Sequence, residues 1–346
     1  MGNREIAILG VGAIGGTIGG PLTQAGYNVT LIDQWPENVE VMKTSGLTIS
    51  GTHGDHLIPV NAIHIHELCT ISKMFDWVFI CVKSYDTAWA TTLMLPYLKP
   101  HGAFVSAQNS INDNTIAELA GFNKILACVL TLGGGMYEPG NVIRTNDPEA
   151  LAITVGELHG QSTPRLIELE DLMSHVGVST ITNNTWGERW SKLVVNCMVN
   201  PMAGITGLSS AEVRRNPATR RILIRIAAEA IRVGMKHGFE VTNINGIPAT
   251  SYLEADENMG TAMENVETEM ALRSSERGEG LPSMLQDLMK GRKTEINYLN
   301  GYVVEKGSQI GMPTPINHTI VDILTSVEKG VINPSIDNLK RLKGFN

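Results

Sequence analysis

The 346-residue sequence is poor in cysteine, with four residues and no C-x-x-C pair. They stand far apart in the chain, at Cys69, Cys81, Cys128 and Cys197. That spacing fits neither a zinc ribbon nor a disulfide framework. Three of the four have apolar neighbours, where cysteine is usually a small core residue, and the pattern is typical of a reducing compartment.

Basic residues are outnumbered, because 27 Lys and Arg face 35 Asp and Glu, for a formal net charge of -8. Binding to nucleic acid depends on clustered Lys and Arg that displace counterions from phosphates. The charge therefore argues against a nucleic-acid partner. An anionic ligand would need local positive groups, set against the overall field.

Long apolar runs are also missing, and no run reaches the roughly 18 residues that a membrane span requires. The start of the chain, MGNREIAILG, lacks the basic region, apolar stretch and cleavage site of a signal peptide. We therefore expect a cytoplasmic protein with no membrane partner. No metal site is expected either, because the early histidines lack matching carboxylates; they are His53, His56, His64 and His66.

Up to residue 184, short apolar runs rich in β-branched residues alternate with helical segments. The predicted strands are Glu5–Leu9, Asn28–Ile32, Trp77–Val82, Ala103–Ala107, Ile125–Leu130 and Ala152–Val155. The predicted helices are Ala13–Ala25, Trp35–Thr44, Thr87–Leu98 and Ile111–Leu119. This alternation predicts a Rossmann-type α/β domain over residues 1–184, with a doubly wound parallel sheet covered by helices on both faces.

From residue 185 onward the apolar residues recur with the 3.6-residue period of helices. The predicted helices are Gly187–Val199, Ala218–His237, Glu257–Arg273, Ser283–Lys290, Glu295–Gln309 and Ile316–Val327. Residues 239–282 are the least regular part. The pattern predicts an all-α helical domain over residues 185–346.

A G-x-G-x-x-G motif follows the first predicted strand and opens the first predicted helix. Its residues are Gly10, Val11, Gly12, Ala13, Ile14 and Gly15. The first glycine permits a tight turn, the second lets the backbone approach a pyrophosphate, and the third allows close helix–strand packing. The helix N-terminus adds unpaired N–H donors for phosphate. The motif in this context predicts a dinucleotide-binding site.

Asp33 ends the second predicted strand, 18 residues after Gly15. A carboxylate at this place can accept hydrogen bonds from the adenosine ribose and repels a 2′-phosphate. The next basic residue is Lys43. We therefore expect NAD(H) to be favoured over NADP(H). The alternative is that Asp33 caps the turn that follows the strand.

Three polar residues in the second half share one face of a predicted helix. Lys192, Asn196 and Asn200 are spaced four residues apart, while neighbouring apolar residues occupy the other faces. Buried polar groups need partners, which a ligand rich in oxygen atoms would supply. A solvated stripe or a structural asparagine network would give the same spacing, and the pattern alone does not decide between them.

Several segments resemble ketopantoate reductases, in the same order and over nearly the whole chain. The K-L-x-x-N-C-x-x-N-P segment begins at Lys192, S-M-L-Q-D at Ser283 and T-E-I-N-Y-L-N-G at Thr294. Further matches are V-K at Val82, Q-N at Gln108 and G-M-P-T-P-I-N at Gly311. The resemblance implies hydride transfer between a nicotinamide cofactor and a small 2-keto or 2-hydroxy acid, the only partner expected besides a homodimer mate.

The resemblance also implies a role for each matched residue. Lys192 would be the general acid that protonates the keto oxygen, because an ammonium stabilises the negative charge that develops there. Glu295 would lie near the reacting hydroxyl and hold the lysine, although a helix-capping role is the alternative. The residues implied for binding substrate are Asn109, Asn196, Asn200 and Ser283. The residues implied for binding cofactor are Lys83 and Asn109.

The sequence departs from the family pattern at three places. Ser110 replaces a common glycine, Asp33 replaces a basic or neutral residue, and residues 239–282 form a longer stretch. These departures leave open an NAD-linked enzyme that oxidises a different D-2-hydroxy acid. A non-catalytic dinucleotide-binding protein is the remaining alternative, but a mere binder has no use for the acid–base and substrate residues.

Overall fold

The computed structural model describes residues 4–258, 260–274 and 281–345. The chain forms two compact units, Met1–Thr185 (unit 1) and Trp186–Asn346 (unit 2). Of the irregular stretch 239–282, residues 259 and 275–280 lie outside the described residues.

Unit 1 alternates strands with helices. Its strands are β1 (Glu5–Leu9), β2 (Asn28–Asp33), β3 (Leu47–Gly51), β4 (His56–Ile58), β5 (Asn61–His64), β6 (Phe75–Ile80), β7 (Leu98–Ser106), β8 (Ile125–Leu130), β9 (Gly134–Glu138), β10 (Asn141–Arg144), β11 (Ile153–Glu157) and β12 (Ser179–Ile181). Its helices are α1 (Ala13–Gln24), α2 (Pro36–Ser45), α3 (Thr87–Met94), α4 (Asp113–Ala120) and α5 (Pro164–Ser174).

The main sheet of unit 1 has the strand order β12-β11-β8-β7-β6-β1-β2-β5. Its pairs are parallel except for β11, which runs antiparallel to β8. After β8 the chain forms the β9–β10 hairpin and then returns beside the end of β8, where Thr131 N–H donates to the Ala152 carbonyl at 2.9 Å. From this end, β11 runs back along β8 in the antiparallel direction. The predicted Rossmann-type sheet is confirmed, with this reversed strand as the difference.

A second sheet, in the order β4-β3-β10-β9, lies against α1 and was not predicted. Its strands are only three to five residues long, and the alternation of Leu47–Ser50 in β3 was not recognised. Glycines on α1 make the contact possible. A Cβ added to Gly16 would lie 2.6 Å from Val142 Cγ2, and one added to Gly20 would lie 2.6 Å from Ile49 Cδ1.

Unit 2 is built from helices, as predicted. They are α6 (Thr185–Thr206, starting in the last residue of unit 1), α7 (Ser210–Arg215), α8 (Pro217–Lys236), α9 (Ala249–Glu257), α10 (Thr261–Ser274), α11 (Ser283–Met289), α12 (Asn300–Gln309) and α13 (Pro315–Glu328). The predicted helix Glu257–Arg273 corresponds to α10, which begins four residues later, and α9 was not predicted. A small hairpin, β13 (Asn243–Ile244) with β14 (Ile247–Pro248), adds two short strands.

The centre of unit 2 is the buried helix α8, against which α6 packs. The fully buried Trp190 lies directly over Gly234, where an added Cβ would be 2.2 Å from the indole Nε1. That nitrogen donates to the Ala230 carbonyl at 2.8 Å, so the indole fills the core without leaving its donor unpaired. Among the described helices, none combines the length and the apolar character needed to cross a bilayer.

Candidate functional site

Four loops that carry predicted site residues lie at one edge of the main sheet. They follow β1, β2, β6 and β7, which are parallel neighbours in the order β7-β6-β1-β2. Because the carboxyl ends of parallel strands meet at the same edge, Gly10–Gly15, Asp33, Lys83 and Asn109 are brought to it. Ligands of open α/β sheets bind at this edge, where the order of the strands reverses around the first one.

The glycine turn is closed at its two ends and open in the middle. Gly10 has a φ of +92°, and a Cβ added there would lie 2.8 Å from the Val82 nitrogen. A Cβ added to Gly15 would lie 2.1 Å from the Gly10 carbonyl oxygen. At Gly12 no atom of the described residues lies within 4 Å of an added Cβ. Gly12 also precedes α1, whose first N–H groups lack helical partners, so the turn fits a pyrophosphate.

The Asp33 carboxylate is almost buried and holds the glycine turn to β2. Val11 N–H donates to its Oδ2 at 2.8 Å, and Trp35 N–H donates to its Oδ1 at 3.0 Å. The second bond is the turn-capping geometry that the sequence left open. The Asn38 amide adds a third bond, to Oδ2 at 3.2 Å. A carboxylate accepts about four hydrogen bonds, so Oδ1 retains capacity for one more.

Asn38 is a structural partner of this turn that the sequence analysis missed. Its side chain is fully buried and donates to the Val11 carbonyl at 2.9 Å as well as to Asp33. Its Oδ1 accepts from Gly140 N–H at 2.7 Å, from a residue 102 positions away. The amide therefore ties the glycine turn to the second sheet. No local pattern signals such a role, because the partner comes from a distant hairpin.

The loops that carry Lys83 and Asn109 are braced against each other. Gln108 Nε2 donates to the Val82 carbonyl at 2.8 Å. Asn112 Nδ2 donates to the Asn109 carbonyl at 2.9 Å and to Ser84 Oγ at 3.1 Å. These bonds fix the backbone beside both candidate residues, whose side chains are half-buried.

Ser110, the departure next to Asn109, has a left-handed backbone conformation. Its φ is +70°, and the residue is 4% exposed. An L-amino acid pays about 1–2 kcal/mol in this region, which glycine does not. The conformation that the common family glycine favours is therefore kept here by a serine, at the cost of backbone strain.

In unit 2, the three predicted polar residues lie along one side of α6. Lys192 and Asn200 are half-buried and Asn196 is 6% exposed. Asn200 Nδ2 donates to Asn196 Oδ1 at 3.3 Å, so the two amides orient one another. The opposite side of the helix carries buried apolar residues such as Val194 and Met198.

Glu295 and Ser283 stand at the beginnings of two other helical segments of unit 2. Glu295 is 6% exposed and precedes a short 3-10 helix, Ile296–Tyr298, to which its side chain makes no capping hydrogen bond. Its carbonyl oxygen accepts from Tyr298 N–H at 2.9 Å and from Leu299 N–H at 3.0 Å. Ser283 is the first residue of α11 and is half-buried. The geometry therefore lends no support to a side-chain capping role for Glu295.

The cysteines and the early histidines are not among the predicted site residues, although His64 pairs with Asp33 in the sheet and its Nε2 lies 3.0 Å from the Gln34 carbonyl oxygen. Burial raises the pKa of the Cys81 and Cys197 thiols far above the ordinary value, which keeps them protonated and unreactive. His64 and His66 lie side by side with ring centroids 4.5 Å apart. Among the residues described, no group of His, Cys, Asp or Glu side chains is arranged to hold a metal ion.

Two family models match the sequence, one in each unit. The model described as ketopantoate reductase PanE/ApbA matches residues 6–160, and the one described as ketopantoate reductase PanE/ApbA C terminal matches residues 184–328. Among curated relatives, the 2-dehydropantoate 2-reductase of Archaeoglobus fulgidus is 26% identical over 331 residues, covering 95% of this chain and 99% of the relative. That of Aquifex aeolicus is 27% identical over 329 residues, covering 94% and 97%.

Solved structures of similar fold cover the chain equally well. A PanE/ApbA family ketopantoate reductase from Ralstonia eutropha superposes with a TM-score of 0.77 at 25% identity, over 94% of this chain and 99% of that one. D-mandelate dehydrogenase, in a ternary structure with NADH and anilino(oxo)acetate, gives a TM-score of 0.79 at 22% identity and the same coverage. Since the two family models together span most of both units, this protein belongs to the ketopantoate reductase family and is an oxidoreductase.

Proposed function

We propose that this protein interconverts a small 2-keto acid and the corresponding 2-hydroxy acid with a nicotinamide dinucleotide, and that Lys192 is the general acid. Unit 1 binds the dinucleotide, and unit 2 supplies the acid–base and substrate-binding groups. The observation that carries the proposal is the polar side of α6, where an ammonium and two amides are spaced four residues apart on an otherwise buried helix.

The dinucleotide is held by the edge of the main sheet. The open backbone at Gly12 and the N-terminus of α1 receive the pyrophosphate, flanked by Val11, Ala13 and Ile14. Lys83 and Asn109 lie on neighbouring loops that side-chain bonds hold in place. When bound, the nicotinamide accepts or donates a hydride at its C4.

Lys192 handles the proton of the reaction. In the reducing direction, negative charge grows on the keto oxygen as C2 accepts hydride, and the Lys192 ammonium donates the proton that completes the hydroxyl group. In the oxidising direction the neutral amine takes that proton back. Glu295 is nearly buried, and its side chain makes no capping hydrogen bond to the 3-10 helix that follows. Its carboxylate holds the ammonium and favours the charged form of the lysine.

Three polar side chains bind the acid itself. Asn200 donates a hydrogen bond to Asn196, and the two side chains present their remaining amide donors and acceptors along α6. Ser283 at the start of α11 adds a hydroxyl group. Amides and hydroxyls can donate to the carboxylate and accept from the hydroxyl of a 2-hydroxy acid, which is the chemistry the substrate requires.

NAD(H) is the preferred cofactor in this proposal because of Asp33. Its Oδ1 can accept one further hydrogen bond, which an adenosine hydroxyl would donate, and its negative charge repels a 2′-phosphate.

The first candidate substrate is 2-dehydropantoate, the substrate in the names of the relatives from A. fulgidus and A. aeolicus. The second is a different D-2-hydroxy acid, oxidised with NAD⁺, which Asp33 favours. A homodimer stays a prediction; one neighbour in fold, from Staphylococcus aureus, is described as dimeric.

The test is an absorbance assay of the reduced cofactor. NADH and NADPH are mixed with 2-dehydropantoate and other 2-keto acids, and NAD⁺ and NADP⁺ with D-2-hydroxy acids including pantoate and mandelate. We expect turnover with at least one acid and a higher kcat/KM with the NAD form. No turnover with either cofactor across the panel would overturn the proposal.

The same assay tests the cofactor assignment with Asp33→Ser. Removing the carboxylate that repels the 2′-phosphate should narrow the preference for NAD(H) over NADP(H) about tenfold, which corresponds to ~1.4 kcal/mol. Asn38→Ala is the matched control, because it disturbs the same turn without changing its charge and should affect both cofactors alike. An unchanged preference in Asp33→Ser would reject the ribose assignment.

A further inference from the structure

Unit 2 buries a chain of three polar side chains that ends on the backbone of α6. Glu229 is 9% exposed, and Asn317 and Asn300 are fully buried. The Glu229 carboxyl group accepts from Ile316 N–H and Asn317 N–H, each at 3.0 Å, at the beginning of α13. Buried polar groups are costly unless they are paired. The side-chain amide donors of Asn317 and Asn300 are bonded, whereas the Asn300 Oδ1 atom has no hydrogen-bond partner among the described residues.

The hydrogen bonds among these three side chains have one donor-to-acceptor direction, which the Glu229 carboxyl group determines. Asn317 Nδ2 donates to Glu229 Oε2 at 2.8 Å, which leaves Asn317 Oδ1 to face Asn300. Asn300 Nδ2 then donates to that oxygen at 2.9 Å and, with its second hydrogen, to the Cys197 carbonyl at 3.0 Å. Because the carboxyl group orients the first amide and that amide orients the second, Asn300 presents a donor to α6.

The Cys197 carbonyl needs this donor because of Pro201. In an α-helix the carbonyl of residue 197 accepts from the N–H of residue 201, and proline has none. Pro201 stands inside α6, immediately after Asn200. Asn300, 103 residues away in the sequence, supplies the bond that the proline removes. The break falls between Asn196 and Asn200, the two substrate-binding candidates on this helix.

Asn300 also ends the segment that carries Glu295. The other end of this segment is anchored through Thr294, whose Oγ1 and N–H donate to the two oxygens of Glu328 at 2.9 and 3.3 Å. Between these anchors, residues 294–300 span the short 3-10 helix. One amide therefore joins the Glu295 segment to the turn of α6 that the proline opens.

We propose that Asn300 is a positioning residue, which holds the proline-opened turn of α6 and the Glu295 segment in one fixed register. This inference rests on the proposed function for its catalytic meaning, but the bond itself can be tested without activity. Asn300 does not bind the substrate. Its role is to keep Asn196, Asn200 and Glu295 in position.

The first experiment is a double-variant cycle in urea unfolding. Asn300→Leu keeps the branched shape of the side chain and removes the donor, and Pro201→Ala restores an N–H that can pair with the Cys197 carbonyl. We expect Asn300→Leu to lower the urea midpoint strongly in the wild-type background and clearly less in the Pro201→Ala background. Equal losses in the two backgrounds would overturn the inference, whatever the activity of the protein.

Asn338→Leu is the matched control. This buried asparagine also donates to a backbone carbonyl of α6, that of Ile205, at 3.0 Å, but at the end of the helix and away from Glu295. It should lower the midpoint without any rescue by Pro201→Ala. Hydrogen exchange of the α6 amides should quicken around Asn200 in Asn300→Leu and not in Asn338→Leu; quickening in neither or in both would contradict the assignment.

Kinetics then separate positioning from mere stability. Asn300→Leu should reduce kcat/KM for the acid about 100-fold, as expected for a misplaced substrate, and leave the KM for the dinucleotide unchanged. Pro201→Ala in the same protein should recover part of the loss, and Asn338→Leu should leave both constants unchanged. Equal losses in Asn300→Leu and Asn338→Leu would reduce Asn300 to a structural residue. A wild-type protein inactive on every acid would count against the proposed function, while the unfolding cycle would still decide on the bond.

Discussion

In unit 1 the candidate residues stand on loops that follow parallel strands, whereas in unit 2 most of them stand on the face or at the start of helices. The loops of unit 1 are held by separate bonds from single side chains, such as those from Gln108 and Asn112 and the bond of Asn38 to Gly140. The helix face of unit 2 is held by a buried chain of polar groups from elements far apart in sequence.

The difference matches the tasks that we propose for the two units. A pyrophosphate is bound by backbone N–H groups, so unit 1 needs a turn of defined shape and little side-chain chemistry. Proton transfer and acid binding need specific side chains at fixed distances, so unit 2 needs rigid elements with a braced interior. We expect variants in unit 2 to affect chemistry and variants in unit 1 to affect cofactor binding and folding.

Lys192→Ala should give the largest effect and the sharpest division between the units. Loss of a general acid typically reduces turnover by about 10²–10⁴-fold. Dinucleotide affinity, measured by titrating the fluorescence of the reduced cofactor, should stay close to the wild-type value because the glycine turn is untouched. Lys236→Ala, at an exposed lysine that ends α8, is the control and should change neither property.

Parallel losses of turnover and affinity in Lys192→Ala would break the comparison. They would mean that the lysine supports the whole fold or the cofactor rather than the proton transfer. A far-ultraviolet spectrum and an unfolding curve of the variant distinguish these two explanations.

Arg165→Ala should have the next largest effect, on the stability of unit 1. Burial alone would raise the pKa of Glu157, but hydrogen bonds from Arg165 and Thr163 outweigh it and hold that pKa below its ordinary value. A group whose pKa is lowered in the folded state stabilises the fold at pH values above its unfolded pKa of about 4.5. This stabilisation is lost as the pH falls through the folded pKa. The variant should lose about 1.5–3 kcal/mol at pH 7 and show a weaker further loss on acidification, measured by urea unfolding.

The buried carboxyl group of unit 2 behaves in the opposite sense. Burial raises the pKa of Glu229, against hydrogen bonds from Asn317 and Ile316 that lower it. Its contribution is therefore present below the unfolded pKa and is lost as pH rises through the folded pKa.

Arg165→Lys, which keeps the charge, should retain most of the acid dependence of unit 1. Identical pH profiles for the wild type and Arg165→Ala would refute the assignment.

Ser110→Gly should have the smallest effect, a gain in stability of about 0.5–1 kcal/mol. Glycine removes the strain of a left-handed residue but costs more conformational entropy on folding, so only part of the strain is recovered. Asn245→Gly is the counterpart in unit 2, at a φ of +56° in the β13–β14 turn. Since asparagine tolerates this region better than serine does, the gain there should be smaller still. Destabilisation by Ser110→Gly would show that the serine side chain outweighs the strain of its backbone.

Sequence patterns were most informative where structure follows from neighbouring residues. The turn at Gly10–Gly15 depends on glycine conformation and on the strand and helix beside it, and the polar side of α6 follows from helical spacing. The hairpin around Asn245-Gly246 carried an equally local signal, an Asn-Gly pair, but no hairpin was predicted there. Its strands are only two residues long, too short for an alternating pattern.

Distant pairings were beyond the reach of such patterns. In the second sheet, β3 pairs in parallel with β10, a strand more than 90 residues later. The apolar–polar alternation of Leu47–Ser50 in β3 does not indicate which strand it will pair with. The bond from Asn38 to Gly140 and the bond from Asn300 to Cys197 each join residues more than 100 positions apart. Nothing near an asparagine in the sequence says which carbonyl it will reach.

By itself the sequence determined the kinds of element and the chemistry they carry: a glycine turn between a strand and a helix, and an ammonium with two amides on one helical side. Local backbone sterics and helical periodicity are enough for that, because they act over a few residues. Only the tertiary structure decided that Asp33 is bonded to the turn it follows, and that Asn300 supplies the hydrogen bond that Pro201 removes. Those contacts depend on which surfaces pack together, and packing is a property of the whole fold.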